Sequence, residues 1–175
     1  MNRRGFLKAV AGFGTALSMY GPRALLAADV PPYINIRRGG EGGLLDVSTT
    51  SGRAWLSYLL RDVQANLLGI PHPNLVRLLC WEHAFFAGYG INAVFNATSG
   101  LRHPRTNART EGAAKDSQHL PDPHGVFKAV DGHIPGVPVE YLGRLASYAS
   151  QGGVGFYLSK GFIHQDVDRV RFWRK

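Results

Sequence analysis

Two histidines and an aspartate define the chemistry open to this chain. His119 sits in Ser117-Gln118-His119-Leu120, Asp131 follows twelve positions later, and His164 lies in Gly161-Phe162-Ile163-His164-Gln165-Asp166. Two imidazoles and one carboxylate fill three corners of a zinc tetrahedron and leave the fourth to water, the arrangement of a hydrolytic site. Zinc brings the pKa of bound water from about 15.7 to about 7 and polarises a carbonyl, so it supplies both nucleophile and electrophile. A nearby carboxylate or imidazole then takes the water proton.

The surrounding elements must bring these distant positions together. Residues 154–158, 162–167 and 170–173 read as three short strands, with turns at Ser159-Lys160-Gly161 and Asp168-Arg169. Strand residues two apart share a face, so Phe162, His164 and Asp166 point one way, and Ile163, Gln165 and Val167 the other. With Ile163 and Val167 in the core, His164 and Asp166 face a cleft, where a carboxylate beside a ligating imidazole supports it or moves a proton. Taken alone, a His-x-Asp on a strand is more often than not a surface ion pair.

Upstream, residues 55–68 carry a helical stripe with Asp62 near its middle, ended by Gly69 and Pro71. Pro73 opens a second helix, closed by Gly88 and Gly90; Cys80 lies in its apolar pattern as a small hydrophobe, and His83 falls off the stripe as a solvated or capping residue. His72 reads as a loop residue and His103 as an exposed one at a cleft rim. Residues 91–98 read as a strand, 105–115 as a polar loop with a helical turn, and Gly136-Val137-Pro138 precedes a helix reaching about Ser150. Helices first and a strand-rich end predict an α+β domain, a small and mainly antiparallel sheet with helices packed on it. Gly152-Gly153-Val154-Gly155 follows a helix and enters a strand, the reverse of the nucleotide-binding order. No Gly-x-Ser-x-Gly elbow is present.

Six short motifs occur in order: Thr98-Ser99-Gly100-Leu101-Arg102, Asn107-Ala108-Arg109, Ser117-Gln118-His119, Lys128-Ala129-Val130-Asp131, Gly152-Gly153-Val154-Gly155-Phe156-Tyr157 and Gly161-Phe162-Ile163-His164-Gln165-Asp166. Over about residues 54–173 the chain resembles the MepK-type (YcbK-like) murein endopeptidases. These belong to a larger group of zinc peptidases that includes lysostaphin-type enzymes, D-Ala-D-Ala metallopeptidases and hedgehog. The resemblance implies a hedgehog/DD-peptidase-like fold and Zn²⁺ held by His119, Asp131 and His164. It also implies Arg102 near the substrate carbonyl, where it would stabilise an oxyanion, and Ser117 supporting the loop of the first ligand. The implied substrate is the peptide cross-links of peptidoglycan. A D,D-carboxypeptidase or dipeptidase on wall peptides, or a zinc-containing module that binds peptidoglycan or a protein without cutting, are the alternative readings.

Two departures from the family pattern stand out. The spacing from His119 to Asp131 is twelve where seven is usual, so Pro121-Asp122-Pro123-His124-Gly125 reads as an insertion, and Asp122 or His124 is an alternative ligand. Many relatives carry an acid three residues before the last ligand, where this chain has Gly161. Asp166 is then the first candidate for the general base, His133 the second and Glu111 the third.

Composition bounds the rest. Of 175 residues, 45% are hydrophobic and 18% charged, which is ordinary for a globular domain. Residues 1–28 read as a twin-arginine-type signal peptide, 29–53 as a flexible lead-in and 54–175 as the zinc peptidase domain. The leader motif is Arg3-Arg4-Gly5-Phe6-Leu7-Lys8, and the apolar run over 9–20 is too short to span a bilayer. Periplasmic localisation and a mature form without an integral membrane span follow as expectations. Of the formal +8, four charges (Arg3, Arg4, Lys8, Arg23) lie in the leader, which has no acid, leaving +4. That excess suits an anionic wall and lacks the basic stripe of a nucleic-acid binder. Cys80 is the sole cysteine, so no intramolecular disulfide forms.

Overall fold

A computed structural model describes residues 30–175; the twin-arginine-type leader expected over residues 1–28 lies outside the described residues. The elements are β1 (Tyr33–Arg38), β2 (Glu41–Asp46), α1 (Thr50–Leu59), β3 (Ile70–Pro71), α2 (Pro73–Ala87), β4 (Phe95–Ser99), α3 (Pro104–Arg109), β5 (Val126–Phe127), β6 (Ala129–His133), α4 (Val139–Ala149), β7 (Gly153–Tyr157), β8 (Phe162–Asp166) and β9 (Arg171–Arg174). Seven strands form one sheet in the order β2-β1-β4-β6-β8-β7-β9, and β3 pairs with β5 in a separate ribbon. The fold is α+β, as expected, and the sheet is mostly antiparallel with parallel pairs at β1–β4 and β7–β9. Among the described residues no helix is long and apolar enough to cross a membrane.

Three local expectations change. Within the expected flexible lead-in over 29–53, the described residues 30–53 form ordered structure. Gly39 and Gly40, at φ +58° and +88°, make a two-residue turn, and β1 and β2 pair on either side of it. Ile34 and Ile36 alternate into the core, and β1 also pairs with β4, so this hairpin is an edge of the main sheet. The helical stripe over 55–68 ends at Leu59. Beyond it, Asp62 Oδ1 accepts from the Gln64 and Ala65 amides at 2.9 and 3.0 Å, a local side-chain bond that competes with helix. The third concerns β9, which pairs with β7 in parallel and not with β8.

The two histidines read as loop or exposed residues instead cap helices. His72 Nδ1 accepts from Asn74 N ahead of Pro73, and His103 Nδ1 accepts from Arg105 N ahead of Pro104. Each caps a helix whose first residue is proline, a position that needs no amide.

The sheet has two unlike faces. Val130, Gln165 and Val154 stand opposite one another on β6, β8 and β7, beside Ile163 and Phe156. Helices α2 and α4 cover this side: Gln165 bonds Glu82 of α2, and Gly143 of α4 lies against the Phe156 ring, where a Cβ would come within 2.3 Å. On the other side a single row crosses the sheet through Ser99, Asp131, His164, Gly155 and Trp173. That row carries the chemistry.

Candidate metal centre

Asp131 and His164 are direct partners across β6 and β8, so sheet register alone brings two of the three expected ligands together. His119 comes from the loop before β5. Its amide meets Ser117 Oγ at 3.4 Å, its carbonyl accepts from Arg102 N at 2.9 Å, and Gln118 O accepts from Lys128 N at 2.9 Å. The Ser-Gly-Leu-Arg turn is fixed in the same way: Leu101 N bonds Leu60 O at 2.8 Å, and His103 N bonds the buried Asp62 Oδ2 at 2.6 Å. Gly100 packs so closely on Leu60 that a Cβ would lie 2.4 Å from its carbonyl oxygen. Asp62 was missed as a site residue because helical periodicity placed it in a helix.

The three side chains are buried and their donor atoms form a near-equilateral triangle. His119 Nε2 lies 3.1 Å from Asp131 Oδ1 and 3.1 Å from His164 Nδ1, and His164 Nδ1 lies 2.9 Å from Asp131 Oδ1. A tetrahedral ion with bonds of about 2.0–2.1 Å separates its ligand atoms by about 3.3 Å, so the triangle has the size of one tetrahedral face. The tautomers agree with that reading. His119 Nδ1 faces the Gly100 carbonyl and must donate; His164 Nε2 faces Asp166 Oδ2 at 2.9 Å and donates there. Two ring lone pairs and a carboxylate oxygen therefore converge on one point, an arrangement that a cation satisfies. The structure thus gathers His119, Asp131 and His164 as a metal-binding group.

Electrostatics act unevenly on this set. Burial opposes protonation of His164, but its bonds to Asp131 and Asp166 outweigh burial and raise the ring's pKa, so a cation at Nδ1 would displace a proton. Burial lowers the His119 pKa and outweighs the pull of Asp131, so the ring stays neutral. For Asp131, burial alone would raise the pKa, but the two imidazoles hold the carboxyl well below the usual range. The Arg102 guanidinium bonds Asp131 Oδ2, leaving Oδ1 for the triangle, and its Nε bonds Ser99 Oγ at 2.8 Å.

The inserted segment leaves the ligands in place. Asp122 Oδ1 accepts from the His124 and Val126 amides at 2.9 Å each, closing a compact exposed turn that leads into β5. Asp122 and His124 are therefore turn residues, and Asp131 keeps its place beside His119 and His164.

Asp166 is not placed to act as a general base. Its side chain is fully buried, its Oδ2 is held by His164 Nε2 and Arg171, and its Oδ1 accepts from Gly153 N and Asp168 N at 2.9 and 3.0 Å. It meets His164 on the nitrogen away from the triangle, so it orients the ring. His133 stands opposite Asn96 at the end of β6, outside the cavity lining. Glu111 does line the cavity. The space in front of the triangle is about 710 Å³, walled on one side by the loop around Glu111 and Asp116 and on the other by Tyr157, Phe162 and Trp173. Asn107 secures the loop wall, its Nδ2 donating to Ala114 O at 2.9 Å.

An α+β domain with a buried His-Asp-His metal group at the foot of an open cavity has the architecture of a metal-dependent peptidase. The chain belongs to the family of the peptidoglycan L,D-endopeptidase MepK, whose family model matches residues 48–173. It is similar to the probable peptidoglycan L,D-endopeptidase MepK of Haemophilus influenzae, with 30% identity over 99% of this chain and 96% of that protein. It is also similar to the peptidoglycan L,D-endopeptidase MepK of Escherichia coli K12, with 28% identity over 98% of this chain and 97% of that protein. No solved structure matches the chain significantly.

Proposed function

We propose that this protein is a zinc-dependent peptidoglycan endopeptidase that hydrolyses an amide in the peptide cross-links of the wall. The relatives' names point to the L,D class of bond. The twin-arginine-type leader supports export to the periplasm. The observation that carries the reading is the triangle of His119 Nε2, Asp131 Oδ1 and His164 Nδ1, facing a cavity wide enough for a peptide. Two nitrogens and one oxygen at this spacing suit zinc.

When bound, the ion supplies Lewis acidity for water and carbonyl alike. The chain's own residues do the rest. Arg102 bonds Asp131 from the cavity edge, where a fixed guanidinium would stabilise a developing oxyanion. Asp166 holds the His164 proton on Nε2. Glu111, on the cavity wall and without a hydrogen bond or ion pair among the described residues, takes the role of general base and returns the proton to the leaving amine.

Incubation of purified protein with cross-linked muropeptides tests the reading. New free amines are expected, and binding to sacculi without cleavage would refute it. Glu111→Gln should lower kcat by about 10²–10⁴ with zinc content unchanged; full activity in that variant returns the base role to another group.

A further inference from the structure

Two glycines of β7 separate β9 from the ligand strand β8. Gly155 stands between His164 on one side and Trp173 on the other, and a Cβ there would lie 2.5 Å from the indole. With no side chain in the way, the Trp173 ring reaches across a whole strand to the His164 ring, centroid to centroid 5.2 Å. Gly153 repeats the arrangement two residues earlier. It pairs with Arg171, its amide bonds Asp166, and a Cβ would lie 2.6 Å from both Arg171 Nη1 and Asp166 Oδ2. Through that gap Arg171 grips Asp166 with a two-point fork, at 2.7 Å to Oδ2 and 3.2 Å to Oδ1. The Arg171 guanidinium also lies 5.3 Å from the Trp173 ring centre.

We infer that Arg171 and Trp173 are positioning residues of the metal centre, acting across Gly153 and Gly155 to fix the ring of His164. A bidentate arginine holds its carboxylate in one plane, so Asp166 presents Oδ2 to His164 Nε2 at a fixed angle. The hydrogen bond sets the tautomer, the indole limits ring rotation, and Nδ1 stays aimed at the ion. Orienting partners of this kind are worth 10–100-fold in metal affinity. The alternating pattern Gly153-Val154-Gly155 opposite Arg171-Phe172-Trp173 is the sequence trace of the device, because one strand lacks side chains where the next sends large ones across.

The inference rests on the metal-centre reading, so the first measurement is Zn²⁺ affinity of the unaltered protein by chelator competition; absence of binding overturns both. With binding established, Arg171→Gln is expected to weaken Zn²⁺ about 10–100-fold and to alter the visible spectrum of the Co²⁺-loaded form. Trp173→Leu should give a smaller loss, and Trp173→Phe should restore most of it by returning a ring. A purely structural clamp predicts the opposite pattern, a lower apo melting temperature with Zn²⁺ affinity and Co²⁺ spectrum unmoved, and that result overturns the inference. Should Arg171→Gln fail to fold, Arg171→Lys decides, since lysine keeps the charge but loses the fork. At least a threefold loss of Zn²⁺ affinity is then expected, and equal affinity refutes it.

Discussion

The two faces of β8 bury polar groups on opposite terms. On the cavity face, His164 Nε2 and both oxygens of Asp166 are hydrogen-bonded, with partners from β7 and β9, while His164 Nδ1 faces the ligand triangle. On the core face, Gln165 meets Glu82 through one 3.1 Å bond, while Glu82 Oε1 and Gln165 Oε1 have none. Burial drives the Glu82 pKa up to about 8, against the opposing bond from Gln165, so the acid is neutral at pH 7. A satisfied network over-determines a geometry, whereas a half-satisfied pair costs stability and only ties α2 to the strand. The first face is therefore where substitutions should change chemistry, and the second where they should change the fold.

His164→Ala tests that division most severely. It removes one corner of the triangle, so we expect bound zinc to be lost and muropeptide cleavage to fall at least about 10³-fold, with His119→Ala and Asp131→Ala alike. Metal analysis and product counting read the result. Wall digestion undiminished in all three variants sinks the hydrolytic centre and with it the contrast between faces.

Glu82 gives the matching test on the core face, through pH. Its folded pKa of about 8 lies above the value near 4.5 of a free glutamate, so between those limits the native state keeps a proton that the unfolded chain has released. The unfolded state binds fewer protons there, and stability must fall as pH rises, by roughly 1 kcal/mol per pH unit from this group. Below pH 4.5 its contribution is complete; above 8 it is gone. Glu82→Gln should abolish this part of the slope in urea titrations across pH 5–8, while zinc affinity at pH 7 stays within about twofold. An unchanged slope would show that the carboxyl titrates normally.

Much of the cavity face was legible in the sequence because it depends on parity and local turns. Alternation along residues 162–167 placed His164 beside Asp166 and away from Ile163, as observed. What stayed hidden depends on register between distant strands. The pairing of Asp131 with His164, and of β9 with β7, is fixed by tertiary packing that no local period reports. Asp166 was read as a base since parity shows a neighbour but not which ring nitrogen it meets. Asp62 was hidden in a helical stripe that its own side chain ends, and the hairpin of β1 and β2 was read as mobile although Gly39-Gly40 is a turn signal. The core-face pair was invisible too, for Glu82 lies in an amphipathic helix where a glutamate ordinarily faces water.

Gln165→Met probes the core face further. Removing the amide leaves the buried Glu82 carboxyl without its one bond, an expected loss of about 1–3 kcal/mol with zinc affinity unchanged. Replacing both residues by methionine removes the unpaired atoms together, so the double variant should recover most of that loss or exceed the parent. Denaturant midpoints of the two single variants and the double supply the coupling. Additive losses would mean that Glu82 and Gln165 do not act as a pair.

Gly161 carries the smallest expected effect and tests the turn that feeds both faces. It ends the short 3₁₀ turn Leu158–Lys160 at φ +76°, and a Cβ there would touch nothing within 4 Å. Only backbone strain therefore opposes a side chain, and Gly161→Ala should cost about 1 kcal/mol. Because Tyr157 pairs with Phe162 on either side of the turn, that cost should be shared by the whole hairpin, with zinc affinity untouched. At this φ an L-residue at position 161 strains the turn that leads to His164 three residues on. A stability loss confined to the metal-loaded form would instead place the turn within the ligand-orienting network, and the two faces of β8 would no longer be separable.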